Sequence, residues 1–297
     1  MNTSIRESKG DRIFTICNYI LLSLFVASVL YPLIFVVSAS FSSAEAISSG
    51  KVWLWPVDIS IKSYQEVFKH EAIWTGYANS LFYMVVGTLI NVFLTVLAAY
   101  PLTRKDFRGR NIFLFMFVFT MMFNGGLIPM YLLVRDLGML NTRWALIVPN
   151  AMATFNVIVT MTFFKSTIPD ELLESAKMDG CNDFKFLWKI VLPLSAPIIA
   201  VMSLFYAVGH WNQYFSALIY LRDTSLFPLQ LVLRDILVQN EVDPSMMSDV
   251  TNLEERIGLQ QLLKYSTIVV ASLPVLIIYP FVQKHFVKGV MIGSLKG

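Results

Sequence analysis

Cysteine, histidine and charge are all scarce in this 297-residue sequence, and each shortage removes a class of function. The two cysteines are Cys17, in a hydrophobic segment, and Cys181, in a polar interval, so a disulfide would require one thiol to cross a bilayer. Neither has a second thiol or a histidine nearby at metal-ligand spacing, so no metal site is expected. The three histidines, His70, His210 and His285, form no H-E-x-x-H or related cluster. Charged residues make up only 14%, where a soluble domain carries about a quarter. The apolar stretches contain essentially no acidic residues, which counts against a proton- or sodium-coupled carrier. His210 has no carboxylate partner on its own segment, which counts against a membrane-embedded hydrolase or transferase. The chain has no G-x-x-x-x-G-K-[ST] loop and so cannot hydrolyse ATP by itself; it is not read as an enzyme. The net charge of +3 is small and no basic run is interleaved with aromatics, so nucleic acid is not an expected partner.

Hydrophobicity is what the chain has in abundance: 56% of residues, with a mean hydropathy of +0.62. Six apolar stretches are each near the ~20 residues that span a bilayer as a helix. They lie at about 13–37, 77–102, 112–134, 144–164, 196–221 and 265–286, which predicts one all-α transmembrane domain over residues 1–297. Ser38-Ala39-Ser40 is a weak match for a signal cleavage site, but the long apolar core before it favours a retained span. Prolines inside the spans (Pro129, Pro149, Pro197, Pro274, Pro280) are tolerated where neighbouring helices satisfy the freed carbonyls. Of the 23 Lys and Arg, 14 fall in the N-terminus, the 103–111 loop, the region of 168–193 and the C-terminus. The three longer connections hold the other 9. Basic loops stay inside, so both termini and segment 168–193 are expected to be cytoplasmic.

Segment 168–193, IPDELLESAKMDGCNDFKFLWKIVLP, is polar yet helical in pattern. Thr167 is placed to cap a first helix, with Pro169 in its first turn and Leu172, Leu173 and Ala176 on one face. Gly180 supplies a left-handed stop. Asn182 is placed to cap a second helix, whose Phe184, Leu187, Trp188 and Val191 recur at i, i+3, i+4 and i+7, and Pro193 closes it. Physics alone leaves two readings open, an interfacial helix pair or a docking elbow. The residues decide between them by resemblance. Glu174-Ser175-Ala176, three residues, Gly180, nine residues, Ile190, one residue and Leu192-Pro193 resemble the EAA loop of ABC-importer permeases. The one departure is Ser175 for alanine. In that family the loop is a coupling helix seated on a cytoplasmic ATPase. The resemblance implies contacts to that ATPase through Glu174, Ser175, Ala176, Asp179, Gly180, Cys181 and Phe184, with Leu172, Ala176 and Phe184 packing in its cleft or back on the bundle.

Three further stretches carry polar or helix-breaking residues inside spans. Phe123-Asn124-Gly125-Gly126-Leu127-Ile128-Pro129 should loosen or break span three near its outer end, or allow close packing through small residues. His210-Trp211-Asn212-Gln213-Tyr214 places five side chains with hydrogen-bonding atoms in span five, either as an interhelical network or as a site that stacks on and reads a sugar. Asn150 and Asn156 in span four read as packing polars. Asn124, Trp211, Asn212 and Tyr214 are the candidate substrate-pathway residues. The ending from Gly289 to Gly297 resembles the G-x-x-x-G-x-x-K-G tail of the maltose-type branch, which implies that Gly293, Lys296 and Gly297 reach into the ATPase dimer. Residues 123–149 resemble most the LplC/YtcP subgroup of the MalG-like carbohydrate branch. The resemblance implies a type I importer (MetI-like) permease fold of six spans in the cytoplasmic membrane. It implies as partners a homologous permease forming a heterodimer, two ATPase subunits that bind ATP and Mg, and an external sugar-binding protein. An oligosaccharide is the implied substrate, with an amino acid or peptide as the alternative, and no cofactor is implied for this chain.

Overall fold

The structure, a computed structural model, describes residues 8–238, 258 and 262–277. Every regular element among the described residues is helical. In chain order these are α1 (Lys9–Ser40), α2 (Ala44–Ser48), α3 (Lys62–Lys69), α4 (Glu71–Thr103), α5 (Arg110–Met122), α6 (Leu127–Asp136), α7 (Trp144–Ile147), α8 (Thr154–Thr167), α9 (Asp170–Met178), α10 (Asp183–Phe186), α11 (Leu192–Leu194), α12 (Ala196–Trp211), α13 (Phe215–Tyr220), α14 (Leu229–Val238) and α15 (Leu262–Ile277). The chain divides into two compact units, one of residues 1–70 and 236–271, the other of residues 71–235 and 272–297.

In the first unit, α1 begins at a reciprocal cap. The Ser8 hydroxyl accepts from the Asp11 N–H, and the Asp11 carboxylate accepts from the Ser8 N–H. Its 32 residues would extend about 48 Å at 1.5 Å per residue, more than a ~30 Å hydrocarbon layer needs. Its apolar side chains point outward almost to the end. There Ser38, Ala39 and Ser40 become buried, and Ser38 donates to the Leu54 carbonyl at 2.7 Å while Ser40 meets the Tyr64 hydroxyl at 2.8 Å. The small residues that resembled a cleavage site are the floor on which α2 and α3 are built.

The second unit is organised on α4. Its 33 unbroken residues pack against α8 and α12 along an apolar core that includes Val96, Ala99, Val157, Met161, Ile198 and Met202. Polar groups are placed along this seam and paired across it. The Thr95 hydroxyl meets the Tyr206 hydroxyl at 2.7 Å, and Tyr206 also accepts from the Ala153 N–H. Asn91 donates to the Asn150 carbonyl at 3.1 Å. At the N-terminal end of α4, Asn79 donates to the carbonyls of Ser225 and Phe227, Tyr83 donates to that of Leu226, and Ser80 accepts from the Leu229 N–H. Segment 225–229 is thereby sewn onto the helix through its backbone.

Several stretches read as single spans are bent. The third comprises α5 and α6 at 116°, broken where expected, at the paired glycines. Gly126, at φ 90° and ψ 176°, takes a conformation open to glycine, and Pro129 falls in the first turn of α6, where its missing N–H costs nothing. The fourth bends by 51° between Trp144–Asn150 and Thr154–Thr167. The fifth ends as α12 at Trp211, and α13 restarts at Phe215 after the polar run. Of the sixth, α15 covers Leu262–Ile277; the remainder of that stretch lies outside the described residues.

Candidate functional site

Segment 168–193 forms an elbow of two short helices. Proline disfavours helical backbone at the residue before it, and Ile168 accordingly sits at φ −114°, ψ 102°. So α8 runs on through Thr167, and Pro169 stands at the N-cap of α9. Thr167 is therefore the last residue of one helix and not the cap of the next, contrary to the sequence expectation. The C-terminus of α9 follows the sequence reading closely. Gly180 is left-handed at φ 72°, its N–H donates to the Lys177 carbonyl at 3.0 Å, and the Cys181 N–H donates to the Ala176 carbonyl at 2.9 Å. These two bonds make a Schellman motif. A Cβ on Gly180 would meet nothing within 4 Å, so backbone conformation, not crowding, requires glycine. Asn182 then caps α10 by accepting from the Lys185 N–H at 2.8 Å.

The buried and exposed sides of the elbow differ from simple helical periodicity. Ala176, Phe186, Leu187 and Val191 are buried against α4, α8 and α12, with Leu173 and Cys181 partly buried beside them. Phe184 and Trp188, read as part of the same face, are 65% and 49% exposed. The buried face is centred on Phe186 and Leu187, not on Phe184, and a π-helical turn over Leu187–Val191 before Pro193 widens the repeat beyond it. Met178 at 90%, Phe184 and Leu172 at 41% thus stand exposed beside Glu174 and Asp179. They form an exposed apolar set among polar residues of the elbow. Ser175, the departure from alanine, returns its hydroxyl to the Glu171 carbonyl at 2.9 Å within its own helix.

Facing the elbow is the loop between α4 and α5, whose charges the sequence reading used only to assign a side. Arg104 is buried, with 8% exposure, and grips Asp106 with two parallel bonds, Nε–Oδ1 at 3.1 Å and Nη2–Oδ2 at 2.8 Å. The same Nη2 lies 3.4 Å from Asp183 of α10. Lys177 of α9 reaches Asp106 at 3.2 Å, and Lys105 reaches Asp170 at 2.6 Å. The hydrogen bonds from Arg104 and Lys177 hold the Asp106 carboxyl down at about 2. The hydrogen bond to Asp170 pushes the Lys105 ammonium up. Between loop and elbow lies a cavity of about 690 Å³, lined by Arg104, Lys105 and Asp106 on one side and by Asp170, Glu174 and Lys177 on the other. An acidic residue inside a basic nine-residue loop was the available sequence signal for this arrangement.

The candidate pathway residues sit in different local settings. Asn124 accepts from the Gly126 N–H at the α5–α6 break. Trp211 is buried, its ring 6.0 Å from that of Tyr77. Asn212 is exposed and donates to the Val208 carbonyl, and Tyr214 is exposed in the gap before α13. Gly293, Lys296 and Gly297 lie outside the described residues. Among the described residues no group of three or more His, Cys, Asp or Glu side chains is arranged to hold a metal.

Residues 91–292 match the family described as binding-protein-dependent transport system inner membrane component. The chain is 44% identical over 288 residues to the polygalacturonan/rhamnogalacturonan transport system permease protein YtcP of Bacillus subtilis, covering 97% of this chain and 99% of that one. It is 40% identical over 299 residues to the protein LplC of the same organism, covering 99% and 98%. Among solved structures it is similar, with a TM-score of 0.87 and 37% identity, to a chain of a bacterial ABC transporter involved in the import of the acidic polysaccharide alginate, covering 95% of this chain and all of that one.

Proposed function

Because the chain belongs to the family of binding-protein-dependent transport system inner membrane components, we propose that it is one of two unlike permease subunits of an ATP-driven carbohydrate importer. An oligosaccharide is the substrate class that the names of its near relatives support. The partners in this reading are a homologous permease, two ATPase subunits that bind ATP and Mg, and an external sugar-binding protein. The chain lies in the cytoplasmic membrane with both termini and the elbow on the cytoplasmic side, as the distribution of Lys and Arg supports.

The observation that carries the reading is the elbow: apolar side chains outward, a Schellman stop at Gly180 and a buried underside. Met178, Phe184 and Leu172 seat in a cleft of the ATPase, while Glu174 and Asp179 make polar contacts at its rim. Ala176 and Cys181 face the bundle and transmit force instead of docking. When ATP draws the two ATPase subunits together, the clefts move and carry the elbows. The elbow passes through the π-turn and α11 and turns by 83° into α12, so the bundle moves with it and the pathway between the two permeases changes the side to which it opens. Asn212 and Tyr214 offer an amide and an exposed ring to the sugar, Trp211 is buried against Tyr77 just before them, and Asn124 orders the break in the third span. Gly293, Lys296 and Gly297 contribute a tail contact to the ATPase pair.

The test is ATPase activity of the co-purified complex in lipid, with and without sugar-loaded binding protein, in wild type, Gly180→Pro and Phe184→Ala. Proline cannot take the positive φ of residue 180 and lacks the N–H that bonds Lys177. Loss of stimulation in Gly180→Pro, and loss of bound ATPase in Phe184→Ala with spans still folded, is the expected result. A complex that carries no ATPase, or variants that couple normally, would overturn the assignment.

A further inference from the structure

The elbow is covalently joined to α8 and α12 but not to α4, the helix on which the second unit is organised. Besides the apolar core it shares with α4, it is tied to the loop just past that helix by a set of ion pairs from three consecutive residues. Lys105 holds Asp170 at the start of α9, Asp106 is held by Lys177 near its end, and Arg104 reaches Asp183 in α10. These ties reach the start of α9, its last turn and α10, on both sides of the Gly180 corner. Three ties separated in this way add resistance to rotation as well as translation.

We propose that the α4–α5 loop is a second arm of the coupling element, with Arg104 and Asp106 as the positioning residues that lock it to the elbow. The proposal rests on the reading that the elbow docks on an ATPase. It follows from the way loop and elbow meet. Phe107 shares the apolar core with the elbow, but around the cavity of about 690 Å³ between them the ties from Arg104, Lys105 and Asp106 are made by charge. The Lys105–Asp170 and Lys177–Asp106 pairs are largely exposed, and pairs of that kind add little to folding stability. Their consequence is geometric. Arg104 is the exception, because its guanidinium is buried and shared between a carboxylate of its own loop and one of the elbow. Its planar fork, which lysine lacks, fixes the direction of the Asp106 carboxylate that Lys177 then meets. Force delivered to the elbow therefore reaches the C-terminal end of α4 directly, together with α12.

The experiment uses the complete transporter reconstituted in liposomes, and reads substrate imported per ATP hydrolysed and the stimulation by loaded binding protein. Asp106→Asn keeps shape and removes the charge that two cations share. It is expected to retain stoichiometric ATPase and unstimulated hydrolysis, but to lower import per ATP at least about fivefold, the lower end of ordinary coupling between sites. Arg104→Lys, which keeps charge but loses the fork, is expected to fall between wild type and Asp106→Asn. Lys105→Asp is expected to impair coupling, and Lys105→Asp with Asp170→Lys to restore it, since that pair stands apart from the others. A merely structural role would lower complex yield without this rescue. Normal coupling in Asp106→Asn, or no rescue by the exchange, overturns the second arm. If Phe184→Ala still strips the ATPase in that case, the docking reading survives and only the arm falls; if Phe184→Ala also behaves as wild type, both fall.

Discussion

A methyl group at Gly87 is the sharpest probe of the α4–α12 seam through which any such movement must pass. An ideal Cβ there would lie 2.3 Å from Nε2 of His210, 2.6 Å from Cε1 and 2.7 Å from Cδ2. The imidazole occupies the space that any larger side chain would need. His210 is buried, so it cannot swing aside without displacing its own neighbours. Overpacking of this kind costs about 1–3 kcal/mol. Glycine to alanine inside a helix returns roughly 1 kcal/mol, so Gly87→Ala alone is expected to cost only about 0–2 kcal/mol. The informative quantity is therefore the double-mutant cycle with His210→Ala. The propensity gain is present in both backgrounds and cancels, while the clash is present in only one. Unfolding in mixed micelles should then show Gly87→Ala and His210→Ala coupling favourably by at least about 1 kcal/mol. The reasoning fails if the two changes add within about 0.5 kcal/mol, or if Gly87→Ala proves more stable than wild type.

Three further outcomes follow from other parts of the second unit. Gly180→Ala should cost about 1–2 kcal/mol of local strain, and Gly180→Asn distinctly less, because asparagine tolerates the left-handed region. Proteolysis of the elbow in otherwise folded protein would rank them in that order. Asp106 has its carboxyl held down at about 2, so its contribution is complete above the ordinary carboxylate range and is lost as pH falls through about 2. The thermal stabilities of wild type and Asp106→Asn should differ by no more than about 1 kcal/mol, constant from pH 8 to 5, and converge below about pH 4; a difference that grows on acidification would contradict the pairing. Asn79→Ala removes two bonds to the carbonyls of Ser225 and Phe227 and one from Arg143, at a cost of about 1–3 kcal/mol. Hydrogen exchange should speed up in residues 222–229 and leave α12 unchanged.

Local rules accounted for the features whose cause is local. Gly180, Asn182 and the break at Phe123–Gly126 follow from what glycine, asparagine and the chain around them do unaided, and each was legible. Thr167 was misjudged because Ile168, held extended by Pro169, moved the boundary between two helices by two residues. Phe184 was misjudged because the buried face is centred on Phe186 and Leu187, and Trp188 because it lies in a π-turn, where a repeat of 3.6 does not hold. The ties of Arg104 were out of reach for another reason. Counting Lys and Arg gives the side of the membrane a loop lies on but not which carboxylate each cation meets, and Asp183 is 79 positions from Arg104. The role of Gly87 was hidden likewise, because nothing in a sequence marks an imidazole as standing where a methyl would otherwise be.

The two ends of α4 are held by different chemistry, and that difference bears on how a signal would travel along it. At its N-terminal end, neutral side chains bond to backbone carbonyls and an N–H of segment 225–229, contacts that fix register and are indifferent to salt. At its C-terminal end ionic ties are added to the apolar core, two of the pairs largely exposed, so screening weakens them as the Debye length falls from about 10 Å at 0.1 M to 3 Å at 1 M. Between the ends the helix is continuous, with Pro101 close to its terminus, and is keyed to α12 at Gly87–His210 and Thr95–Tyr206. A beam of that kind is stiff in the middle and yields first at its ionic end. Raising ionic strength should therefore reduce import per ATP before it releases segment 225–229 from α4. In Asp106→Asn, where the joint is already weakened, the same rise in salt should have a smaller effect. If salt lowered coupling equally in both, the ionic end would not be the compliant one, and the weak point would have to lie at the docking face of Met178 and Phe184.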